Sequence, residues 1–327
     1  MVHPIWNDNP TVQSGLEEVR AIIKSELRIP HPQVKEKIDE YLDASGKYLR
    51  AGLLLMLAQA KETDIQPAKL YFAASVEVLH LATLIHDDVI DEADTRRGIV
   101  TMHKTQSNRI AIYAGDYLLA YSSRLLKKGI SLMEASKEAE DLFDNNIIER
   151  ILAGELAQLL NQGRKDMRLK DYLKQIKGKT AFLFALSCQL GAWTKQESKR
   201  NARLAFNFGQ AIGMAFQLSD DLLDYQVPES QMGKPRLQDV QNRIYTAPLL
   251  FAIEENASLR EYLGKESFSV DELDRLQKEI SQTAAYQRTN QLIERYLKKA
   301  GNFAEKMQLP NQSHLLIFLK KTMERSF

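Results

Sequence analysis

Val76-Glu77-Val78-Leu79-His80-Leu81-Ala82-Thr83-Leu84-Ile85-His86 runs straight into Asp87-Asp88-Val89-Ile90-Asp91. The run is apolar nearly all round, the pattern of a helix buried in a core. Asp87 and Asp91 are four residues apart. On a helix they sit one above the other on one face, with Asp88 turned aside. Like charges at that spacing destabilise a bare helix, so a cation is needed to offset them. Oxygen-only ligands suit magnesium, which uses one or two carboxylates together with substrate phosphates. A single acidic helix end decides little, because such clusters are more often solvated surface than metal sites. A second copy changes the odds: Ala211-Ile212-Gly213-Met214-Ala215-Phe216-Gln217-Leu218-Ser219 leads into Asp220-Asp221-Leu222-Leu223-Asp224 with the same spacing.

Working outward from these two stretches, helical periodicity runs almost throughout the chain. Strand signals are scarce, and no Asn-Gly or Asp-Gly hairpin occurs. The pattern predicts helices over 12–27, 34–42, 49–61, 67–90, 109–127, 131–142, 147–161, 169–190 and 198–225, followed by shorter amphipathic helices. Loops are expected over 92–107, which holds Arg96-Arg97-Gly98, and over 226–238, which holds Gly233-Lys234-Pro235. Lys179-Thr180 interrupts an otherwise apolar helix. No repeat, low-complexity segment or linker stands out, so residues 1–327 read as a single all-α domain. If the two long helices share one bundle, their acidic ends face each other across a cavity.

Composition narrows the function. Lysine and arginine number 44 against 43 acidic residues, so no bulk field favours nucleic acid or an anionic membrane. The hydrophobic fraction of 44% supplies a sizeable core. The single cysteine, Cys188, excludes an internal disulfide and fits a reducing cytoplasm. No signal peptide is expected at the N-terminus, and no run of eighteen apolar residues predicts a membrane-spanning helix.

Basic residues recur near the acidic ones. Arg96-Arg97 follow the first acidic stretch and Lys234 the second. Lys47 and Arg50 open the third helix, and His80 lies about two turns before Asp87 on roughly the same face. Each has a plainer reading when taken singly: a solvated helix start, a core histidine, an exposed loop, a snorkelling lysine. Jointly, carboxylates for magnesium beside arginines and lysines are the ingredients of a diphosphate site. Two basic sets suggest two diphosphates, one bound through metal and one directly.

At this point the sequence resembles the trans-isoprenyl diphosphate synthases over nearly its whole length. The resemblance rests on Gly46-Lys47 with Arg50, His80, the stretch Asp87–Asp91, Arg96-Arg97-Gly98, Gly115-Asp116, Gly154-Glu155 with Gln158, Lys179-Thr180, Phe216-Gln217, the stretch Asp220–Asp224, and Gly233-Lys234-Pro235. Within the family it looks most like the catalytic subunit of bacterial heptaprenyl diphosphate synthases. The resemblance implies an antiparallel helical bundle around a deep central cavity, usually as a homodimer, or as a heterodimer with a small regulatory subunit. It implies three Mg2+ ions held by Asp87, Asp91 and Asp220, with Asp88, Asp221 and Asp224 in support. It implies an allylic diphosphate on Arg96, Lys179 and Lys234, with Thr180 and Gln217 facing its carbon chain, and Lys179, Thr180 and Gln217 as the catalytic group. Lys47, Arg50, His80 and Arg97 would hold isopentenyl diphosphate. The expected reaction is ionisation, condensation and elimination. The sequence departs from the family pattern at Ser45, Tyr48 and Ala51 around the first basic motif, and at Leu237 and Arg243 after Lys234.

Ala82 and Thr83, five and four residues before Asp87, lie about 6–7.5 Å below the first aspartate at helical rise. In this family bulky aromatic residues there stop chain growth early; here both are small, and Ser75 and Val76 further down are modest. The expectation is a medium or long all-trans product, hexa- to nonaprenyl, for a quinone side chain. The alternatives are a short-chain farnesyl or geranylgeranyl diphosphate synthase, a non-catalytic partner subunit, and a class I terpene cyclase. A cyclase normally lacks the second aspartate stretch, and a non-catalytic subunit tends to lose the aspartates.

Overall fold

The computed structural model describes residues 2–44, 46–61, 65–134, 146–195, 198–226, 237–310 and 312–324. Its helices are α1 Pro10–Glu26, α2 Pro32–Asp43, α3 Leu49–Lys61, α4 Pro67–Ile90, α5 Met102–Thr105, α6 Asn108–Met133, α7 Ile147–Asn161 and α8 Leu169–Ile176. They continue as α9 Phe182–Ala192, α10 Lys199–Gln226, α11 Gln238–Gln241, α12 Ala247–Glu255, α13 Val270–Ser281, α14 Ala285–Lys306 and α15 Gln312–Glu324. The expected all-α architecture is therefore present, with one small exception. Strands β1 Thr95–Arg96 and β2 Ile99–Val100 pair antiparallel inside the expected loop. Arg97 and Gly98 turn them with positive φ at both central positions, the geometry of a two-residue hairpin. The four-residue helix α5 then closes the same segment.

The chain resolves into two compact units: Met1–Asp144 with Leu186–Ala205, and Asn145–Ala185 with Phe206–Phe327. In the first, α4 packs along α6 and is flanked by α1 and α3. Prolines open α1, α2 and α4, where the missing N–H costs nothing. Helix α4 is buried over most of its surface from Ala68 to Asp88, with Glu77, His80, Leu84 and Asp87 half-buried along one face. By length and composition alone it could cross a membrane. Its most apolar window is 72% buried, however, which marks it as a core helix. Near its start lies Lys69, 1% exposed, whose amine donates to the carbonyl oxygens of Leu190, at 2.9 Å, and of Trp193. These carbonyls belong to the end of α9, where no intrahelical donor is left for them. A buried cation at a helix C-terminus is also on the favourable side of the dipole.

One expected helix boundary is displaced at a glycine, and one expected interruption takes a specific form. A break was expected between helices over 109–127 and 131–142, around Gly129; instead α6 runs unbroken to Met133. A Cβ on Gly129 would meet the Phe72 ring of α4 at 2.6 Å, so this glycine serves close helix packing rather than helix termination. Most of the remainder of 131–142 lies outside the described residues. The expected helix over 169–190 is divided by a π-helical turn, Lys177–Ala181. There a Cβ on Gly154 would lie 2.5 Å from the Gly178 carbonyl carbon, so α7 presses directly on the turn's backbone.

In the second unit, α12 is wholly buried from Ala247 to Ile253 and packs on α14. Helix α13 begins with a reciprocal capping box between Ser269 and Glu272.

Candidate active site

The first acidic end closes α4. Asp87 and Asp88 lie in its last turn, and the Asp91 N–H caps onto the Asp87 carbonyl at 2.8 Å. This is the negative end of the helix dipole, the least favourable place for three carboxylates without a cation. Asp88 takes no part in a common face with Asp87. It is 1% exposed, and its Oδ1 accepts from Arg96 Nε at 2.5 Å while the Tyr41 hydroxyl donates to Oδ2 at 3.4 Å. Burial pushes the Asp88 carboxyl up and the Arg96 guanidinium pulls it back. Burial also pushes the Tyr41 phenol up to about 12, so it stays a donor. Asp88 is thus tied by an ion pair to Arg96 in the following hairpin.

His86, beside Asp87, carries a constraint the sequence did not reveal. Its Nε2 lies 3.3 Å from Asp116 Oδ1 and 3.2 Å from the Ile112 carbonyl oxygen, and Gly115 leaves no room for a Cβ beside the ring. The pair Gly115-Asp116 therefore seats the neighbour of the first aspartate.

The basic set of the first unit gathers around the start of α3. Arg50 Nη1 lies 3.0 Å from His80 Nε2. Lys47 is fixed through its carbonyl, which accepts the Trp6 indole N–H at 2.7 Å. Arg97 passes Gly46 so closely that a Cβ there would collide with its guanidinium. The structure thus brings Arg50 and His80 into contact and places Arg97 against the residue before Lys47. Ala82 is fully buried and Thr83 nearly so, the latter bonding back to the His80 carbonyl at 2.9 Å.

The second acidic end lies in the last two turns of α10, again at a negative helix terminus. Asp221, 4% exposed, accepts from the Tyr172 hydroxyl at 2.5 Å and from Gln217 Nε2 at 2.7 Å. Gln217 Oε1 in turn accepts from the Thr180 hydroxyl at 2.6 Å. Three expected site residues, Thr180, Gln217 and Asp221, thus form one chain, with Tyr172 as a member the sequence did not announce. Burial raises the Asp221 carboxyl to about 7. Asp224, also buried, accepts the Asp239 N–H at 3.4 Å. Lys179 turns the other way and pairs with Glu155 at 2.6 Å. Lys234 lies outside the described residues.

Among the described residues no three His, Cys, Asp or Glu side chains converge on one point. A dedicated all-protein metal cage is not what magnesium needs, since it keeps waters and substrate phosphates beside one or two carboxylates. Carboxylates at the unfavourable end of a helix dipole fit that ion. The site residues thus comprise carboxylates at two helix ends and an arginine–histidine contact at the start of α3, on a helical scaffold.

The sequence model of the polyprenyl synthetase family matches residues 31–280. The chain belongs to that family, the transferases that build prenyl diphosphates. It is 34% identical over 303 residues to heptaprenyl diphosphate synthase component 2 of Geobacillus stearothermophilus, covering 92% of this chain and 91% of the relative. Its fold matches that of heptaprenyl diphosphate synthase from Staphylococcus aureus with a TM-score of 0.86 at 27% identity, covering 97% and 99% of the two chains. A polyprenyl synthase from Caulobacter crescentus, in complex with calcium and isoprenyl diphosphate, matches with a TM-score of 0.85 at 26% identity over 97% and 96%.

Proposed function

We propose that the chain is a magnesium-dependent trans-prenyltransferase. It condenses isopentenyl diphosphate with an allylic diphosphate to give a medium or long all-trans polyprenyl diphosphate that serves as a quinone side chain. The observation that carries this reading is the repetition of one motif, Asp87–Asp91 and Asp220–Asp224, each at the negative end of a long helix. Calcium and isoprenyl diphosphate in the Caulobacter relative support a divalent cation and this substrate class. The family match over residues 31–280 runs through residues of both compact units, which supports reading 1–327 as one functional domain.

Asp87, Asp91 and Asp220 hold the magnesium ions, three in this reading. Bound magnesium supplies charge neutralisation for the leaving diphosphate. The side chains do the rest. Arg96, Lys179 and Lys234 hold the allylic diphosphate, so that charge developing on its oxygens meets fixed cations. Lys47, Arg50, His80 and Arg97 hold isopentenyl diphosphate with its double bond beside the allylic carbon. The Thr180–Gln217 pair presents fixed dipoles to the allylic chain, and Asp88, Asp221 and Asp224 buttress the ligands. A dry site keeps water from the allylic cation. Ala82 and Thr83 let the growing tail pass.

Incubating the purified protein with magnesium, farnesyl diphosphate and labelled isopentenyl diphosphate, and sizing the products, tests the reading. Products of roughly six to nine prenyl units are expected. The run is made with and without a small partner subunit, because the Geobacillus relative is named a component of a larger enzyme. Elongation by the chain alone supports a homodimer; elongation only with the partner supports the heterodimer; none in either overturns the reading.

A further inference from the structure

Arg50 and Arg97 bring two guanidiniums to the start of α3, with His80 against Arg50 and Arg97 against Gly46. Such groups repel one another unless an anion holds them, and before substrate binds the anion must come from the protein. Glu77 lies one helical turn before His80 on α4. Its Oε1 accepts the backbone N–H of Ala51, the residue after Arg50, at 3.0 Å. One turn further along, His80 Nε2 meets Arg50 Nη1 at 3.0 Å. Two α4 residues therefore grip two successive residues of α3. Arg97 arrives from the hairpin through the gap left by Gly46. Burial pushes the Glu77 carboxyl up, while the charges of Arg50 and Arg97 pull it back down, so the carboxylate lies in the field of both guanidiniums. The Tyr48 phenol between them, pushed up to about 12 mainly by burial, also feels Glu77 and Arg97 in opposite senses.

We infer that Glu77 is a positioning residue: it anchors the first turn of α3 through Ala51 and holds Arg50 and Arg97 aimed for the diphosphate of isopentenyl diphosphate. The inference rests on the proposed function of that basic cluster. Glu77 does not touch the substrate. Its carboxylate balances the guanidiniums in the free protein, which spares them a rearrangement on binding.

Glu77→Gln keeps an acceptor for the Ala51 N–H and removes the charge. It should raise the KM for isopentenyl diphosphate about tenfold and leave the KM for the allylic diphosphate within about twofold of wild type. A merely structural role would lower stability or kcat without separating the two substrates. Equal KM values in variant and wild type, or equal rises for both substrates, overturn the inference. Thermal melting shows whether the variant folds. If it does not, Glu77→Asp, which keeps the charge but falls a methylene short of Ala51, must show the same one-sided rise, and its absence is equally fatal. Calorimetric titration of the metal-free wild type with isopentenyl diphosphate separates the two levels of the argument. Wild type that fails to bind removes the functional reading and this inference with it. Wild type that binds no more tightly than Glu77→Gln removes the inference alone.

Discussion

The two acidic helix ends share a motif and differ in how its second aspartate is held. At the end of α4, Asp88 is clamped by a cation, Arg96, with the Tyr41 hydroxyl at longer range. At the end of α10, Asp221 is held by neutral donors, Tyr172 and Gln217, with Asp220 and Asp224 adding like charge. The first arrangement ties a carboxylate to the neighbouring hairpin and makes an arginine the price of keeping it charged. The second ties a carboxylate to the Tyr172 hydroxyl and to the amide of Gln217, which faces the reacting chain in the proposed function. One repeat therefore builds a charged buttress and a neutral one. The residues ahead of each end differ as well. Five and four before Asp87 stand Ala82 and Thr83, whereas the matching positions before Asp220 are Ala215 and Phe216. Phe216 packs on Phe184 with ring centroids 5.3 Å apart, so that position is already filled with aromatic core.

The comparison can be broken in several ways. Asp87→Ala and Asp220→Ala should each lower kcat by at least about a hundredfold, because each removes charge stabilisation needed only in the transition state. Circular dichroism should show the fold retained; full turnover in either variant would dissolve the symmetry of the two ends. Ala82→Phe should shorten the product by several prenyl units while turnover of the first condensation persists. Unchanged product length would move the ruler off α4.

The buttresses should separate in stability. Asp88→Asn leaves Arg96 without its ionic partner and should cost about 2–3 kcal/mol. Tyr172→Phe removes one neutral hydrogen bond from Asp221 and should cost about 1 kcal/mol. Urea unfolding checks both, and a reversed order would show that the neutral end is the stiffer one.

The pH dependence of stability should separate the two ends as well. The Asp221 carboxyl, ordinarily near 3.8, is raised to about 7, so the folded state holds its proton more tightly than the unfolded one. Stability from this group is complete below about pH 4 and is lost as pH rises through about 7. Melting of chelator-treated protein across that window should show the decline, and Asp221→Asn should flatten it. An unaltered slope would mean that Asp221 is ionised in the folded state well below that range.

Much of this was legible in the sequence, and the reasons it was legible differ. The bounds of α3, α4 and α7 follow from apolar periodicity and, at α4, from Pro67 at the first position. The acidic motifs and the interruption at Lys179-Thr180 were visible because they violate the surrounding pattern. The displaced boundary came from a glycine that serves a neighbouring element, Gly129, which makes room for a ring from α4, much as Gly154 and Gly178 make room for each other's backbone. No local rule distinguishes such a glycine from a helix terminator. The hairpin was missed because Arg97 is an unusual residue for a positive φ. Tyr41 and Tyr172 were missed because each partner aspartate lies more than forty residues away and a tyrosine in an apolar helix face reads as core.

The π-helical turn over Lys177–Ala181 has one more consequence. Each extra residue in a helix advances everything beyond it by about 100° around the axis. That phase shift lets consecutive side chains part company, Lys179 toward Glu155 and Thr180 toward Gln217. The turn is thus a setting of angle rather than a defect of length. Deleting a single residue there would leave the composition of the site intact and rotate Phe182 and its successors out of step with the residues they now meet.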